Sequence, residues 1–175
     1  ASDHDSNARA FKLLAGTLAV VPAWCALGLI HASQPNGHQW LLLALLLVWS
    51  ADTGAYFAGR HFGGKFFARK LAPRISPNKT IEGLLGGLLL ALAVAIAGAL
   101  LIGARVEQLP AIGVVALATV LFSVVGDLFE SLLKRHVGAK DSGDLIPGHG
   151  GVLDRVDSVL AALPVFALGK AWLGF

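Results

Sequence analysis

Charge is scarce in this sequence. Asp, Glu, Lys and Arg together make up 14% of its 175 residues, against about 25% in a soluble domain. Apolar residues reach 55% and the mean hydropathy is +0.70. That balance excludes an ordinary water-soluble globule and indicates an integral membrane protein. Cysteine occurs once, at Cys25 in an apolar run. This excludes an internal disulfide framework and any CxxC metal site. Internal repeats, low-complexity tracts and a soluble second domain are also missing. Gly and Pro are spread through the chain without marking a boundary, so one membrane domain over residues 1–175 is expected. The net charge of +3 is modest, and no nucleic-acid partner is expected.

What is present is length of apolar chain. Five segments stand out, at 13–30, 40–58, 84–102, 111–129 and 159–175. Each is near the lower end of what a helix needs to cross about 30 Å of hydrocarbon. The expected fold is all-α, a polytopic transmembrane helix bundle of about five spans. The first segment is too long, and too poor in an A-x-A exit, for a signal peptide. Pro22 and Pro164 fall inside segments, where membrane helices tolerate proline if neighbours satisfy the freed carbonyls. Gly83, Gly86 and Gly87 open the third segment with small residues that let helices pack closely.

The basic residues set orientation. Arg9 and Lys12 precede the first span, and the loop after it has none. Arg60, Lys65, Arg69, Lys70, Arg74 and Lys79 follow the second span; only Arg105 follows the third; Lys134, Arg135, Lys140 and Arg155 follow the fourth. The alternation puts both long polar loops on the cytoplasmic side of the membrane. Arg60, Lys65, Arg69 and Lys70 serve either function or merely topology and contact with anionic lipid.

The densest polar segment is 131–157, SLLKRHVGAKDSGDLIPGHGGVLDRVD, lying between two spans. Charge beside a bilayer is costly unless used, and this composition suits an active site for a phosphorylated, metal-bound substrate. Just upstream, Asp127, Glu130, Ser131 and Lys134 fall on one helical face. A carboxylate, a hydroxyl and an ammonium on one stripe can hold a divalent metal and a phosphate together. Asp154 and Asp157 share a face where the fifth span begins, and with a third carboxylate they suit Mg²⁺. Two such ions would stabilise both attacking and leaving oxygens in phosphoryl chemistry. Helix capping is the plainer account of Asp154. Asp127, placed toward the C-terminal end of its helix where a carboxylate is disfavoured, has no such account. Gly148, Gly150 and Gly151 permit close approach of backbone to a ligand, although a simple turn fits equally well. His149 either donates to a phosphate or braces that loop, since no His or Cys partner supports a zinc site.

A second polar motif, Ser76-Pro77-Asn78-Lys79-Thr80-Ile81-Glu82-Gly83, precedes the third span. Pro77 and Asn78 predict a turn. Thr80 is placed to cap the following helix, and Lys79 then lies beside a helix N-terminus that favours anions. GxxxxGK[ST] is absent, so a Walker ATPase is not supported. The plainer account is a helix start with Glu82 in its first turn. Asp52, inside the second span, is either a site residue or a packing partner for Lys79 or Lys134.

These residues resemble the signature of the phosphatidate cytidylyltransferases, or CDP-diacylglycerol synthases. The fixed positions present are Ser131, Lys134, Arg135, Lys140, Asp141, His149, Gly150, Gly151, Asp154, Arg155 and Asp157. GDLFES, SPNKTIEG and ADTGAYFAG are similar to that family in order and spacing, and the likeness runs from about Phe11 onward. It implies transfer of CMP from CTP to phosphatidic acid. It implies metal binding by Asp127, Asp154 and Asp157, with Ser131 and Lys134 in the same site. The catalytic set is then Asp127, Ser131, Lys134, Arg135, Asp141, His149 and Arg155. Ser76, Asn78, Lys79, Thr80, Lys140, Gly150 and Gly151 bind substrate. Asp144 falls at a variable slot. Mg²⁺ is the expected cofactor, with two metal sites. CTP, phosphatidic acid and the bilayer are the expected partners, and small residues along the spans would suit a homodimer. The implied location is the bacterial inner membrane, with the site facing the cytoplasm. Family members usually carry further spans before the region matching Phe11, and this sequence contains no Met; the expectation is a C-terminal portion of a larger protein.

Two other functions fit parts of the pattern. A CTP-dependent lipid-alcohol kinase would pass on the γ-phosphate and release CDP. A transporter would use Asp52 and Asp127 as ion relays, but the charges cluster on one face and no repeat pairs the halves. The DGxxAR…GxxxDxxxD pattern of the CDP-alcohol phosphotransferases is absent.

Overall fold

The computed structural model describes the backbone of residues 2–67, 70–73, 75–136, 151 and 153–175, and the side chains of that set other than 2–12, 15, 153 and 155. Helix α1 runs Ser2–Ala32, α2 Gly37–Phe62, α3 Ile81–Ile102, α4 Leu109–His136 and α5 Leu153–Leu173. Between α2 and α3 a short antiparallel ribbon pairs β1, Lys70–Ala72, with β2, Ser76–Thr80.

Among the described residues, four helical segments are long and apolar enough to cross a membrane: Gly37–Phe62, Ile81–Ile102, Val106–His136 and Val156–Leu173. The apolar segment 13–30 lies within α1, so each of the five expected segments falls in a helix. Leu18, Leu89, Val114 and Leu168 are each more than 60% exposed. Such exposure of leucine and valine is what hydrocarbon contact requires, and the buried core is correspondingly small.

That core is built largely from small residues. On α3, Gly83, Gly87, Ala91, Ala95 and Ala99 are all buried. They recur every fourth residue and form one stripe. The stripe lies against α2. A Cβ placed on Gly86 would fall 2.2 Å from Ala58 Cβ, and one on Gly87 would fall 2.6 Å from Ala51 O. Packing this tight needs glycine, and it is how membrane helices gain van der Waals contact without help from water. The α4–α5 contact uses the same device: a Cβ on Gly126 would fall 2.5 Å from Ala161 Cβ. Larger side chains fill the middle, with Leu47, Ile112, Val120 and Phe166 each no more than 1% exposed. At the far end Asn36 Nδ2 donates to Ile102 O at 3.3 Å and Trp40 meets Phe175 with ring centroids 5.3 Å apart.

Two local expectations are corrected. Pro77 and Asn78 lie in strand β2, not in a turn. A two-stranded ribbon is all edge, so a proline whose missing N–H faces outward costs no ladder bond. Asp127 does not sit at its helix end, because α4 continues to His136, about two and a half turns further. The helix-dipole penalty falls off within the last turn, so Asp127 needs no defence against it.

Candidate active site

The polar chemistry gathers where α2 ends, α3 begins, α4 ends and α5 begins. Thr80 caps α3 as expected, its Oγ1 accepting from Gly83 N at 3.0 Å. One residue on, Ile81 starts the apolar helix. Glu82 does more than neutralise a helix end. It is 6% exposed, and its Oε1 accepts from the backbone N–H groups of Gly64, Phe66 and Phe67 at 3.0, 3.2 and 2.9 Å. One buried carboxylate therefore ties the loop leaving α2 to the first turn of α3.

β2 delivers Lys79 to α4, where its Nζ donates to Asp127 Oδ2. Ser131 Oγ donates to Asp127 Oδ1 at 3.4 Å. A second ionic node lies one to two turns along. Lys134 Nζ donates to Asp154 Oδ1 at 2.6 Å and stands 3.5 Å from Glu130 Oε1. Asp154 Oδ2 in turn accepts from Gly151 N at 2.8 Å, so this carboxylate caps the start of α5 and joins α5 to α4 at once. Asp157 Oδ1 accepts from Ser158 N at 2.6 Å. The expected single stripe on α4 is thus divided: Asp127 turns to the ribbon and Lys134 turns to α5.

A cavity of about 650 Å³ opens beside the first node, within the size range of ligand sites. Ser76, Asn78, Lys79, Thr80 and Asp127 line it. Asp52 lines it as well, with Asp127, Lys79 and Asp157 as its charged neighbours. Asp52 thus lies both at the cavity and beside Lys79, which fits each of the two roles the sequence left open. Tyr56 and Ser158, which the sequence did not single out, also line the cavity, as does Arg60, for which the sequence left function and topology both open. For Arg60 the available signal was the run of residues 53–81, which contains six basic residues and no acid.

Arg135 is exposed at the end of α4. Arg155 lies in α5, with its side chain outside the described set. Lys140, Asp141, His149 and Gly150 lie outside the described residues. Among the described residues, no three His, Cys, Asp or Glu side chains are gathered about one point to hold a metal ion.

With this geometry established, the comparison with known proteins is decisive. The model of the cytidylyltransferase family matches residues 4–171. The chain belongs to the cytidylyltransferase family. The match spans both ionic nodes and every wall of the cavity. The phosphatidate cytidylyltransferase of Haemophilus influenzae is 51% identical over 132 residues, covering 73% of this chain and 44% of that protein. The phosphatidate cytidylyltransferase of Pseudomonas aeruginosa is 47% identical over 173 residues, covering 89% of this chain and 56% of that protein. The one from Staphylococcus aureus is 44% identical over 135 residues, covering 77% and 50%. This cytidylyltransferase-family chain spans about half the length of the curated relatives it matches.

Proposed function

We propose that this chain carries the site that transfers CMP from CTP to phosphatidic acid, giving CDP-diacylglycerol and pyrophosphate for phospholipid synthesis. The observation that carries the reading is the Lys79–Asp127 contact, which brings the SPNKT ribbon against α4 beside a cavity of ligand size. The shared name of the three relatives supports cytidylyl transfer over a lipid kinase.

In the proposed reaction a phosphatidate oxygen attacks the α-phosphorus of CTP, the new P–O bond forms, and pyrophosphate leaves. The attacking phosphate is ionised at neutral pH, so no strong base is required. Positioning and charge stabilisation do the work. Lys79, Lys134 and Arg135 stabilise phosphate charge, Lys79 from the ribbon and Lys134 from α4. Ser131, hydrogen-bonded to Asp127, orients that carboxylate and is not a nucleophile. Thr80 and Glu82 hold the ribbon's end in place, so that Lys79 presents its charge from a fixed frame.

The donor chemistry fits Mg²⁺. Glu130 is 7% exposed, with Lys134 Nζ 3.5 Å from its Oε1. Asp157 and Asp154 are its acidic neighbours. Oxygen-only carboxylate sets suit a hard divalent cation. Asp127, Asp154 and Asp157 are the carboxylates that would hold metal; they do not meet at one point among the described residues, so binding would draw the two nodes together. When bound, the metal would neutralise the triphosphate charge. We place the site on the cytoplasmic face of a bacterial inner membrane, within reach of soluble CTP and of lipid in that leaflet, and in a homodimer.

The test uses full-length protein in proteoliposomes with α-³²P-CTP, phosphatidic acid and Mg²⁺. Label entering the lipid phase with release of pyrophosphate is the expected result. Lipid that stays unlabelled refutes the reading, and release of labelled CDP would move the kinase to the front.

A further inference from the structure

The cavity wall formed by α2 holds a cation of different character from Lys79 and Lys134. Arg60, in the last turn of α2, lines the cavity, and its Nη1 donates to Tyr56 Oη at 2.9 Å. No carboxylate lies within ion-pair distance of it among the described residues, whereas Lys79 and Lys134 both sit on acids. Its neighbourhood in sequence supplies no acid either: residues 53–81 contain none, and Glu82 is turned inward onto backbone N–H groups. A guanidinium with no carboxylate partner among the described residues and a phenol beside it, opening into a cavity, is a site for an anion with several acceptor oxygens.

The surroundings decide which anion. Tyr56, Phe57, Phe62 and Phe66 are 58, 56, 49 and 74% exposed. Four of the nine phenylalanines and the single tyrosine fall within residues 56–67. Exposed aromatic and basic side chains at the end of a membrane helix occupy the level of the lipid headgroups. The loop carrying Phe66 is held in place by Glu82, and Lys65 Nζ stands 5.8 Å from the Phe62 ring centroid. Arg60 lines the cavity, and the exposed Phe62 and Phe66 rings, 6.2 Å apart, follow it at the end of α2. Aromatic faces also stack on nucleobases; exposed rings at the headgroup level favour the ligand already anchored in the bilayer.

We infer that Arg60 and Tyr56 bind the phosphomonoester headgroup of the lipid substrate, with Phe62 and Phe66 as the shoulder where its glycerol meets the protein. The identity of that lipid as phosphatidate rests on the proposed cytidylyl transfer. A monoester carries more charge and more free oxygens than the diester of an ordinary phospholipid, so this pair also selects between them.

Two measurements on full-length protein in proteoliposomes test the assignment. In the first, spin-labelled phosphatidic acid and spin-labelled phosphatidylglycerol are compared by EPR for association with the protein, which needs no turnover. Wild type prefers the monoester, and Arg60→Gln loses the preference, with Arg60→Lys and Tyr56→Phe between them. In the second, Arg60→Gln raises the KM for phosphatidic acid about tenfold or more, as loss of a charged hydrogen bond requires, with the KM for CTP within about twofold of wild type. A rise in the KM for CTP with the lipid KM unchanged would make Arg60 a nucleotide contact and overturn the inference. So would wild-type lipid preference surviving in both Arg60→Gln and Tyr56→Phe. If wild type makes no CDP-diacylglycerol, the activity reading fails and the EPR comparison still decides the headgroup site.

Discussion

Replacing Gly86 by alanine adds one methyl group at the closest point of the α2–α3 joint. The new Cβ would lie 2.2 Å from Ala58 Cβ and 3.1 Å from Gly54 O. Carbon atoms settle at about 3.5–4.0 Å, so the helices must part by about 1.5 Å there. Neither obstacle is the end of a flexible side chain, and overpacking of this kind costs about 1–3 kcal/mol. The functional effect should exceed the loss of stability. α2 carries Asp52 and Arg60 while α3 and its ribbon carry Thr80 and Lys79, and a displacement of about 1 Å at a reacting centre can cost about 10²-fold in rate. The assay is thermal unfolding in detergent together with CDP-diacylglycerol formation. Two other glycines calibrate it. Gly28 has nothing within 4 Å of its would-be Cβ, and Gly98 meets only the Leu43 Cδ1 methyl at 2.5 Å, which can rotate away. The expected order of damage is Gly86→Ala, then Gly98→Ala, then Gly28→Ala with none. Ala58→Gly should restore part of what Gly86→Ala removes. A Gly86→Ala protein as stable and active as Gly28→Ala would refute the close-packed joint.

Thr80→Val should lower stability by about 1 kcal/mol through loss of the helix cap, with Thr80→Ser close to wild type in the same unfolding assay. Glu82→Ala should release the loop it holds, seen as faster tryptic cleavage at Lys65, and Glu82→Gln should lie between, since it keeps an acceptor oxygen without the charge. Asp127→Asn should reduce turnover by about 10²-fold or more and weaken the Mg²⁺ dependence; near-full turnover with Mg²⁺ present would remove Asp127 from the metal set.

Where the chemistry follows from local pattern, the sequence shows it well. The helices, the small-residue face beginning at Gly83, the Thr80 cap and the sharing of one membrane face by both polar motifs all come from periodicity, capping and loop charge. What escapes is pairing across distance. Lys79 and Asp127 are 48 residues apart, and local spacing gives no reason for that lysine to choose Asp127 over Asp52. Glu82 reads locally as a first-turn acid because the N–H groups it accepts lie 15–18 residues upstream. Pro77 reads as a turn because a sequence does not announce that its strand will have only one neighbour. Arg60 reads as a topology charge until Tyr56 and the cavity are beside it.

The two kinds of contact in this bundle divide the labour. α2 is joined to α3, and α4 to α5, by glycine and alanine at distances that admit no extra atom. Such joints are stiff, because a well-packed contact resists any change of spacing. The cavity opens at the edge of the α2–α3 joint, where Ala55, Gly59 and Gly83 line it. Its walls come from α2, the ribbon and the start of α3 on one side and from α4 and Ser158 of α5 on the other, and the contact of Lys79 with Asp127 joins the two sides. An ion pair tolerates changes of length and partner that packed methyl groups do not, and a phosphate offers Lys79 the same charge that Asp127 does. Rigid pairs hold the site residues in register within each wall, and the exchangeable contact lies between the walls, where a charged substrate must enter.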